Sequence, residues 1–141
     1  MDEPILTVTD SIAPEAQAVI DNGLHQFNVG VSGIDDWQAL GVFAVDPQTQ
    51  QVLGGLTGRT SLGLLFIDVF FLPQELRGGG LGSRILRMAE DEATRRGCTA
   101  AMLYTINFQA PGFYQRNGWD IFGEIESKPG ISRVFLTKAL T

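Results

Sequence analysis

The stretch that decides the fold spans residues 64–96 and reads LLFIDVFFLPQELRGGGLGSRILRMAEDEATRR. An apolar run is followed by a turn containing Pro73, by the glycine-rich segment 77–83 and by an amphipathic helical pattern. This order predicts a strand, a glycine loop and a helix N-terminus. Free backbone N–H groups and the helix dipole favour anions at such a junction, and glycines let a phosphate approach closely. The stretch therefore predicts a phosphate-binding loop.

Several interpretations of this glycine loop compete. A P-loop needs Lys after its last glycine, and Ser83 follows Gly82 instead. A dinucleotide fingerprint G-x-G-x-x-G has Gly78 and Gly80 but again Ser83 in place of the third glycine. A glycine-rich turn that only joins a strand to a helix is the plain structural alternative. A further pattern, [QR]-x-x-G-x-[GA], is matched in full by residues 77–82 (RGGGLG).

A second motif lies downstream, in residues 107–119 (NFQAPGFYQRNGW). It is similar to N-x-x-A-x-x-x-Y-x-x-x-G-[FYW], which, like the [QR]-x-x-G-x-[GA] loop, is a signature of the GNAT superfamily of N-acetyltransferases. The chain resembles this superfamily over roughly residues 37–140. The resemblance implies a cytoplasmic enzyme that uses acetyl-CoA as cosubstrate and acetylates a primary amine of a small molecule or peptide in a ternary complex.

Composition agrees with a globular α/β protein. At 141 residues with 44% hydrophobic residues, the chain is predicted to form one domain, residues 1–141, with a real core. No apolar run approaches the ~18–20 residues of a membrane helix, and the acidic N-terminus does not resemble a signal peptide. Cys98 and His25 are single residues of their types, so a disulfide or a Cys/His zinc site is not expected. We predict no metal and an intracellular location.

The net charge of −6 argues against nucleic acid as a partner, because phosphate neutralisation needs clustered basic residues. An acidic surface would attract a cationic amine. Acidity that only aids solubility is an equally weighted alternative. Nothing in the sequence points to a membrane partner, and a homodimer, common in the superfamily, is open.

Hydrophobic periodicity predicts the element order β-α-βββ-α-β-α-ββ in a mixed α/β sheet. The predicted strands are residues 4–9, 37–45, 51–60, 64–72, 100–106, 119–127 and 131–138. The first predicted helix starts near Asp10 or Ser11 and stops near residues 29–30. The second covers residues 84–96 and the third covers residues 110–117. An apolar stripe is expected from Leu81, Ile85, Met88 or Ala89, and Ala93, with Asp91–Arg95 and Glu92–Arg96 ion pairs. The resemblance implies a splayed sheet with the pantetheine arm between the diverging strands.

The resemblance also implies site residues. The pyrophosphate would lie on the backbone of Gly78, Gly79, Gly80, Leu81, Gly82 and Ser83, with Arg77 adding charge. The strand before the loop would pair its backbone with the pantetheine, which indicates Phe70, Phe71 and Leu72. Further cofactor contacts are expected from two residues downstream, Asn107 and Phe113. Tyr114 matches the tyrosine that protonates the leaving thiolate. The extra residue between Pro73 and Arg77 could shift the pantetheine register by one.

The general base is the least defined group. Asp68 interrupts an apolar strand and is the leading candidate, as a buried carboxylate with a raised pKa. The alternative is an exposed Asp68 that pairs with Arg59; Glu124 and Asp36 are further candidates for the base. Two other functions stay open: a catalytically idle acyl-CoA-binding module on the same fold, and an unrelated nucleotide-binding α/β protein.

Overall fold

The computed structural model describes residues 2–141 and divides the chain into two compact units. The first ends at Asp35 and contains one helix, α1 (Pro14–Ser32); the second is Asp36–Thr141. The expectation of a single domain stays a prediction. Among the described residues, no helix combines the length and the apolar character needed to span a membrane.

The second unit is one six-stranded sheet with helices connecting its strands. Its elements are β1 (Gln38–Val45), β2 (Val52–Ser61), β3 (Leu64–Phe71), α2 (Leu81–Arg95), β4 (Ala100–Ile106), α3 (Pro111–Arg116), β5 (Asp120–Lys128) and β6 (Ile131–Ala139). A short 3₁₀ turn, Gln74–Leu76, precedes the glycine loop. The strand order is β1-β2-β3-β4-β6-β5. The predicted β3–β4 parallel pair is confirmed, and the other pairs are antiparallel.

The central strands β3 and β4 are paired over only part of their length and then diverge. Strand β3 pairs with β4 only where Leu64–Phe66 faces Ala100–Met102, although both strands continue beyond that point. On its other side, β3 has a register shift against β2 between Thr57 and Gly58 that leaves Asp68 without a Cα partner. Bulges of this kind bend a strand and increase its twist. A wedge therefore opens between the C-terminal halves of β3 and β4.

The core lies between α2 and the sheet. Ile85, Leu86, Ala89 and Ala93 recur at helical spacing and are buried, opposite the fully buried Leu56, Leu65, Leu103 and Leu136. Burial of one such side chain stabilises the fold by about 1.5–3 kcal/mol. This packing fixes α2, and therefore the glycine loop at its N-terminus, on the sheet.

The predicted N-terminal strand, residues 4–9, is wrong. These residues form no strand, and Ile5, Leu6 and Val8 are almost fully exposed. β-branched residues indicate a strand only where a neighbouring strand supplies hydrogen bonds and side-chain contacts, and this segment pairs with none among the described residues. The observed order is therefore α-βββ-α-β-α-ββ.

The predicted N-cap and the predicted C-terminal end of α1 are wrong. The helix begins at Pro14 with Ala13 at the N-cap, and the predicted cap Ser11 instead donates its N–H to Thr9 Oγ1 at 2.9 Å. Proline at the first position needs no N–H partner, which favours this start. The helix continues to Ser32, because the left-handed residue that ends it is Gly33 with φ 73° rather than Gly30. Its larger apolar residues are exposed, namely Val19, Ile20, Leu24, Phe27 and Val31.

Two details of α2 differ from prediction. The helix begins at Leu81 rather than Arg84, so the loop leads directly into its first turn. Met88 is exposed and Ala89 occupies the core position. Glu92 accepts from Arg96 at 2.8 Å as predicted, but it also pairs with Arg95, which takes the place of the predicted Asp91–Arg95 pair.

Candidate active site

The glycine loop has the backbone that an anion cradle requires. Gly78 and Gly80 adopt φ of 86° and 82°, which side-chain-bearing residues rarely adopt. A Cβ placed at Gly78, Gly79 or Gly80 would meet no atom within 4 Å, so the loop borders open space. The first bond of α2 runs from Arg84 N–H to Gly80 O at 3.1 Å, which leaves the preceding N–H groups of the helix for a ligand. These residues fit a pyrophosphate.

A cavity of about 590 Å³ adjoins this loop. Two arginines, Arg77 and Arg116, are the charged residues among its described lining. Arg77 is held in place because its Nε donates to Leu72 O at 2.8 Å. Nine of the predicted site residues line the cavity: Phe70, Leu72, Arg77, Gly78, Gly80, Gly82, Ser83, Phe113 and Tyr114. Gly79, Leu81 and Phe71 belong to the same segment without lining it, and Phe71 lies under the Arg77 guanidinium.

A smaller cavity of about 270 Å³ fills the wedge between β3 and β4. Its lining comes from the parting halves of these strands, with Asp68 on one side and Tyr104 and Thr105 on the other. Gln109 and Arg133 complete its polar lining, and sequence reasoning missed both. Gln109 Oε1 accepts from the Thr105 hydroxyl and from Ile106 N–H, each at 2.9 Å, so this corner is rigid.

Tyr114 lines both cavities. Its ring is 8% exposed and packs edge-to-face on Phe113 and on Trp119, with centroids 5.1 and 6.1 Å away. Burial raises the pKa of the Tyr114 hydroxyl to about 12, because the charged phenolate would be desolvated. Tyr114 is therefore a neutral O–H donor over the whole physiological pH range.

Asp68 is not the buried carboxylate of the leading hypothesis. It is exposed, and its Oδ1 accepts from Arg59 Nη1 at 2.6 Å, as in the alternative considered for it. The register shift in β3 explains this position, because the extra residue turns away from the core. Arg59 also stacks on Phe66, with 4.4 Å between its Cζ and the ring centroid. A role for Asp68 as base stays a prediction.

Asn107 is engaged by the protein itself. Its Nδ2 donates to Gly130 O at 3.0 Å, and its Oδ1 accepts from Ser132 N–H at 3.1 Å. These bonds tie the end of β4 to the β5–β6 turn. The N-cap of α3 is Ala110, so Asn107 is a turn residue rather than a cap. Its contact with the cofactor stays a prediction.

The other candidates for the base have partners away from both cavities. Glu124 Oε2 accepts from the Ser132 hydroxyl at 2.5 Å, and Asp36 Oδ1 accepts from Leu62 N–H at 3.0 Å. His25 lies beside Asp35, with 3.0 Å between Nε2 and Oδ1. Cys98 is buried, and burial raises the pKa of its thiol, which makes it a poor nucleophile.

A glycine loop at a helix N-terminus, two arginines and a wedge between diverging strands are together the features of a site that fits a pyrophosphate-bearing ligand. The Acetyltransferase (GNAT) family pattern matches residues 15–119 of the chain. The chain therefore belongs to the GNAT acetyltransferase family, and it is an acetyltransferase. An unrelated nucleotide-binding protein does not account for this match.

Individual relatives agree with this assignment. The chain is 33% identical over 118 residues to acetyltransferase Atu2258 of Agrobacterium fabrum, covering 84% of this chain and 85% of the relative. It is 39% identical over 92 residues to blasticidin-S acetyltransferase of Streptomyces morookaense, covering 64% and 68%. A crystal structure from Agrobacterium tumefaciens, of a protein assigned to the acetyltransferases, matches with a TM-score of 0.88 and 31% identity, covering 96% and 99%.

Proposed function

We propose that the protein transfers the acetyl group of acetyl-CoA to a primary amine of a small molecule by direct attack in a ternary complex. The observation that carries this proposal is the position of Tyr114 at the junction of the two cavities. The larger cavity has the glycines and arginines for a pyrophosphate, and the smaller one has polar groups for an amine. A proton donor between them is where a thioester would be cleaved.

Each residue then has a defined task. The N–H groups of residues 78–83 bind the pyrophosphate, and Arg77 and Arg116 supply opposite charge. Phe70 and Phe113, packed edge-to-face with centroids 5.9 Å apart, form an apolar wall for the pantetheine arm. When bound, acetyl-CoA supplies an activated acyl group. Tyr114 would donate its proton to the sulfur as the amine nitrogen bonds to the acyl carbon and the C–S bond breaks, and the proton that this nitrogen then releases would return Tyr114 to its neutral form.

The amine must lose its extra proton before it attacks, since an alkylammonium has a pKa of about 10.4. Asp68 is the proposed group for attracting the ammonium and taking its proton, directly or through water. The hydrogen bond from Arg59 goes to Oδ1 of this carboxylate. Asn107, which holds the end of β4, is proposed to keep this wall of the wedge in position.

The similarity to blasticidin-S acetyltransferase makes amine-bearing antibiotics the first acceptors to test. Release of free CoA thiol would be measured with blasticidin S, aminoglycosides, polyamines, amino acids and short peptides, alongside calorimetric binding of CoA. We expect CoA to bind and one small amine to raise thiol release above the background hydrolysis rate. Binding of CoA with turnover of peptides alone would replace the small-molecule acceptor, and absence of CoA binding would remove the proposal.

The role of Tyr114 has its own test. In Tyr114→Phe the ring remains but the proton donor is lost, so kcat should fall by about 10²-fold, at the low end of general-acid effects. Affinity for CoA, measured by calorimetry, should stay within about twofold because the pyrophosphate cradle is unchanged. An unchanged kcat would contradict the assignment of Tyr114 as the acid. Gel filtration would decide between a monomer and the homodimer that the sequence left open.

A further inference from the structure

A polar cluster that lines neither cavity connects α2 to the end of α3. Glu90 of α2 is 9% exposed, and its two oxygens have different partners. Oε1 accepts from Lys138 Nζ at 2.7 Å, and Oε2 accepts from Trp119 Nε1 at 3.1 Å. Glu90 occupies the apolar stripe of α2, where a carboxylate is costly unless it is paired. Nothing in the acetyl transfer itself uses this carboxylate.

The same cluster holds the end of α3. Lys138 Nζ also donates to the carbonyl of Asn117, the C-cap residue of α3, at 2.9 Å. The backbone N–H groups of Asn117 and Trp119 both donate to Tyr114 O, each at 3.0 Å. The ring of Trp119 packs edge-to-face on that of Tyr114. The backbone and the ring of Tyr114 are therefore both fixed by residues that the Glu90 carboxylate holds.

The cluster also joins the two halves of the site. Helix α2 carries the glycine loop at its N-terminus and Glu90 in its third turn, so Glu90 connects the pyrophosphate cradle to α3. A helix of six residues such as α3 makes few hydrogen bonds of its own and depends on its surroundings for its position. Proton transfer requires the acid to lie within hydrogen-bond distance of the sulfur, and small misplacements are costly.

We propose that Glu90, with Lys138 and Trp119, is a positioning residue that sets the Tyr114 hydroxyl relative to the pyrophosphate cradle. This inference rests on the proposed role of Tyr114 as the acid. The carboxylate touches neither the cosubstrate nor the amine. It acts by holding the C-terminal end of α3 against α2.

Double-variant kinetics test the proposal. Glu90→Gln keeps the side-chain size and an oxygen for Trp119 but removes the ion pair with Lys138. We expect kcat with acetyl-CoA to fall by about tenfold, with the KM for acetyl-CoA within about twofold, because the cradle is not altered. In Tyr114→Phe, adding Glu90→Gln should produce almost no further loss, since there is no hydroxyl left to position.

A merely structural role would give a different result, because the losses of the two substitutions would multiply in the double variant. Asp91→Asn is the matched control, because Asp91 is the next residue of α2 and is exposed. It should have wild-type kinetics. If Glu90→Gln does not fold, Lys138→Gln removes the same ion pair from β6 and should show the same non-additivity with Tyr114→Phe.

The outcomes separate the two proposals. If kcat falls in Tyr114→Phe but not in Glu90→Gln, or if the two losses multiply in the double variant, the positioning role is overturned and the acid role stands. A wild-type Tyr114→Phe overturns both, since the cluster would then position a group without a catalytic task. If Glu90→Gln lowers kcat in the otherwise wild-type enzyme but causes no further loss in Tyr114→Phe, the inference is supported.

Discussion

At the scale of single residues, burial decides what each polar group can do. Tyr114 and Asp68 both border the wedge, but Tyr114 is 8% exposed whereas Asp68 lies at the surface beside Arg59. Desolvation keeps Tyr114 neutral and able to donate. Asp68 is instead in contact with water, and its charge is offset by Arg59.

The raised pKa of Tyr114 predicts a loss of stability at alkaline pH. Between the unfolded value of 10.0 and the folded value of about 12, the unfolded chain loses a proton that the folded chain keeps. The free energy of unfolding should therefore fall by about 2–3 kcal/mol across this window, less any partial solvation of the site. Urea denaturation at pH 9 and pH 11.5 measures it. Tyr114→Phe should remove this part of the fall, whereas replacing the more exposed Tyr104 by Phe should not.

Asp68→Asn tests the amine-binding role. The substitution retains the shape of the side chain and removes its charge, so kcat/KM for a cationic amine should fall by about 10-fold or more. The KM for acetyl-CoA should not change, since Asp68 does not line the larger cavity. Steady-state kinetics with each substrate varied in turn would measure both values. Equal kcat/KM in Asp68→Asn and the wild type would exclude Asp68 as base and as anchor.

At the scale of elements, the strand–loop–helix unit was predictable because its signals are local. The glycine spacing and the amphipathic repeat of α2 each lie within a short stretch of sequence. The strand predicted for residues 4–9 was wrong because strand formation depends on contacts that are not local. The strand propensity of this segment is local, but a strand exists only with a partner from elsewhere in the chain.

Glycine substitutions test the cradle. Gly80→Ala forces a side chain into φ 82° and should destabilise the fold by about 1–2 kcal/mol. Gly63→Ala, at φ 84° in the β2–β3 turn, is the matched control with similar strain and open space. Thermal unfolding should show similar losses for both. Calorimetry should show weakened CoA binding only in Gly80→Ala, so equal CoA affinity in the two variants would place the pyrophosphate elsewhere.

At the scale of the whole molecule, charge is distributed unevenly. The net charge is −6, yet the described charged residues of the larger cavity are arginines. Such an arrangement favours a polyanion inside the cavity and a cation in the surrounding field. The small-molecule amine of the proposed function is the cation that this field would concentrate.

The dependence of kcat/KM on ionic strength tests this electrostatic attraction. With a cationic amine as acceptor, kcat/KM should decrease severalfold as salt rises and the Debye length falls from about 10 Å at 0.1 M to about 3 Å at 1 M. An acceptor of similar size that carries no charge besides its reacting amine should show a smaller decrease. Identical salt dependence for the two acceptors would favour the view that the acidity of the chain serves solubility alone.

The sequence by itself determined the glycine loop, the helix that follows it, the parallel β3–β4 pair and the family. Each of these follows from motif spacing or from the order of neighbouring elements along the chain. Only the tertiary structure decided that Tyr114 borders both cavities, that Asp68 pairs with Arg59, and that Glu90 meets Lys138 and Trp119. Glu90 and Lys138 are 48 residues apart in the chain. Contacts at that separation depend on how α2 packs on the sheet, and no local pattern encodes it.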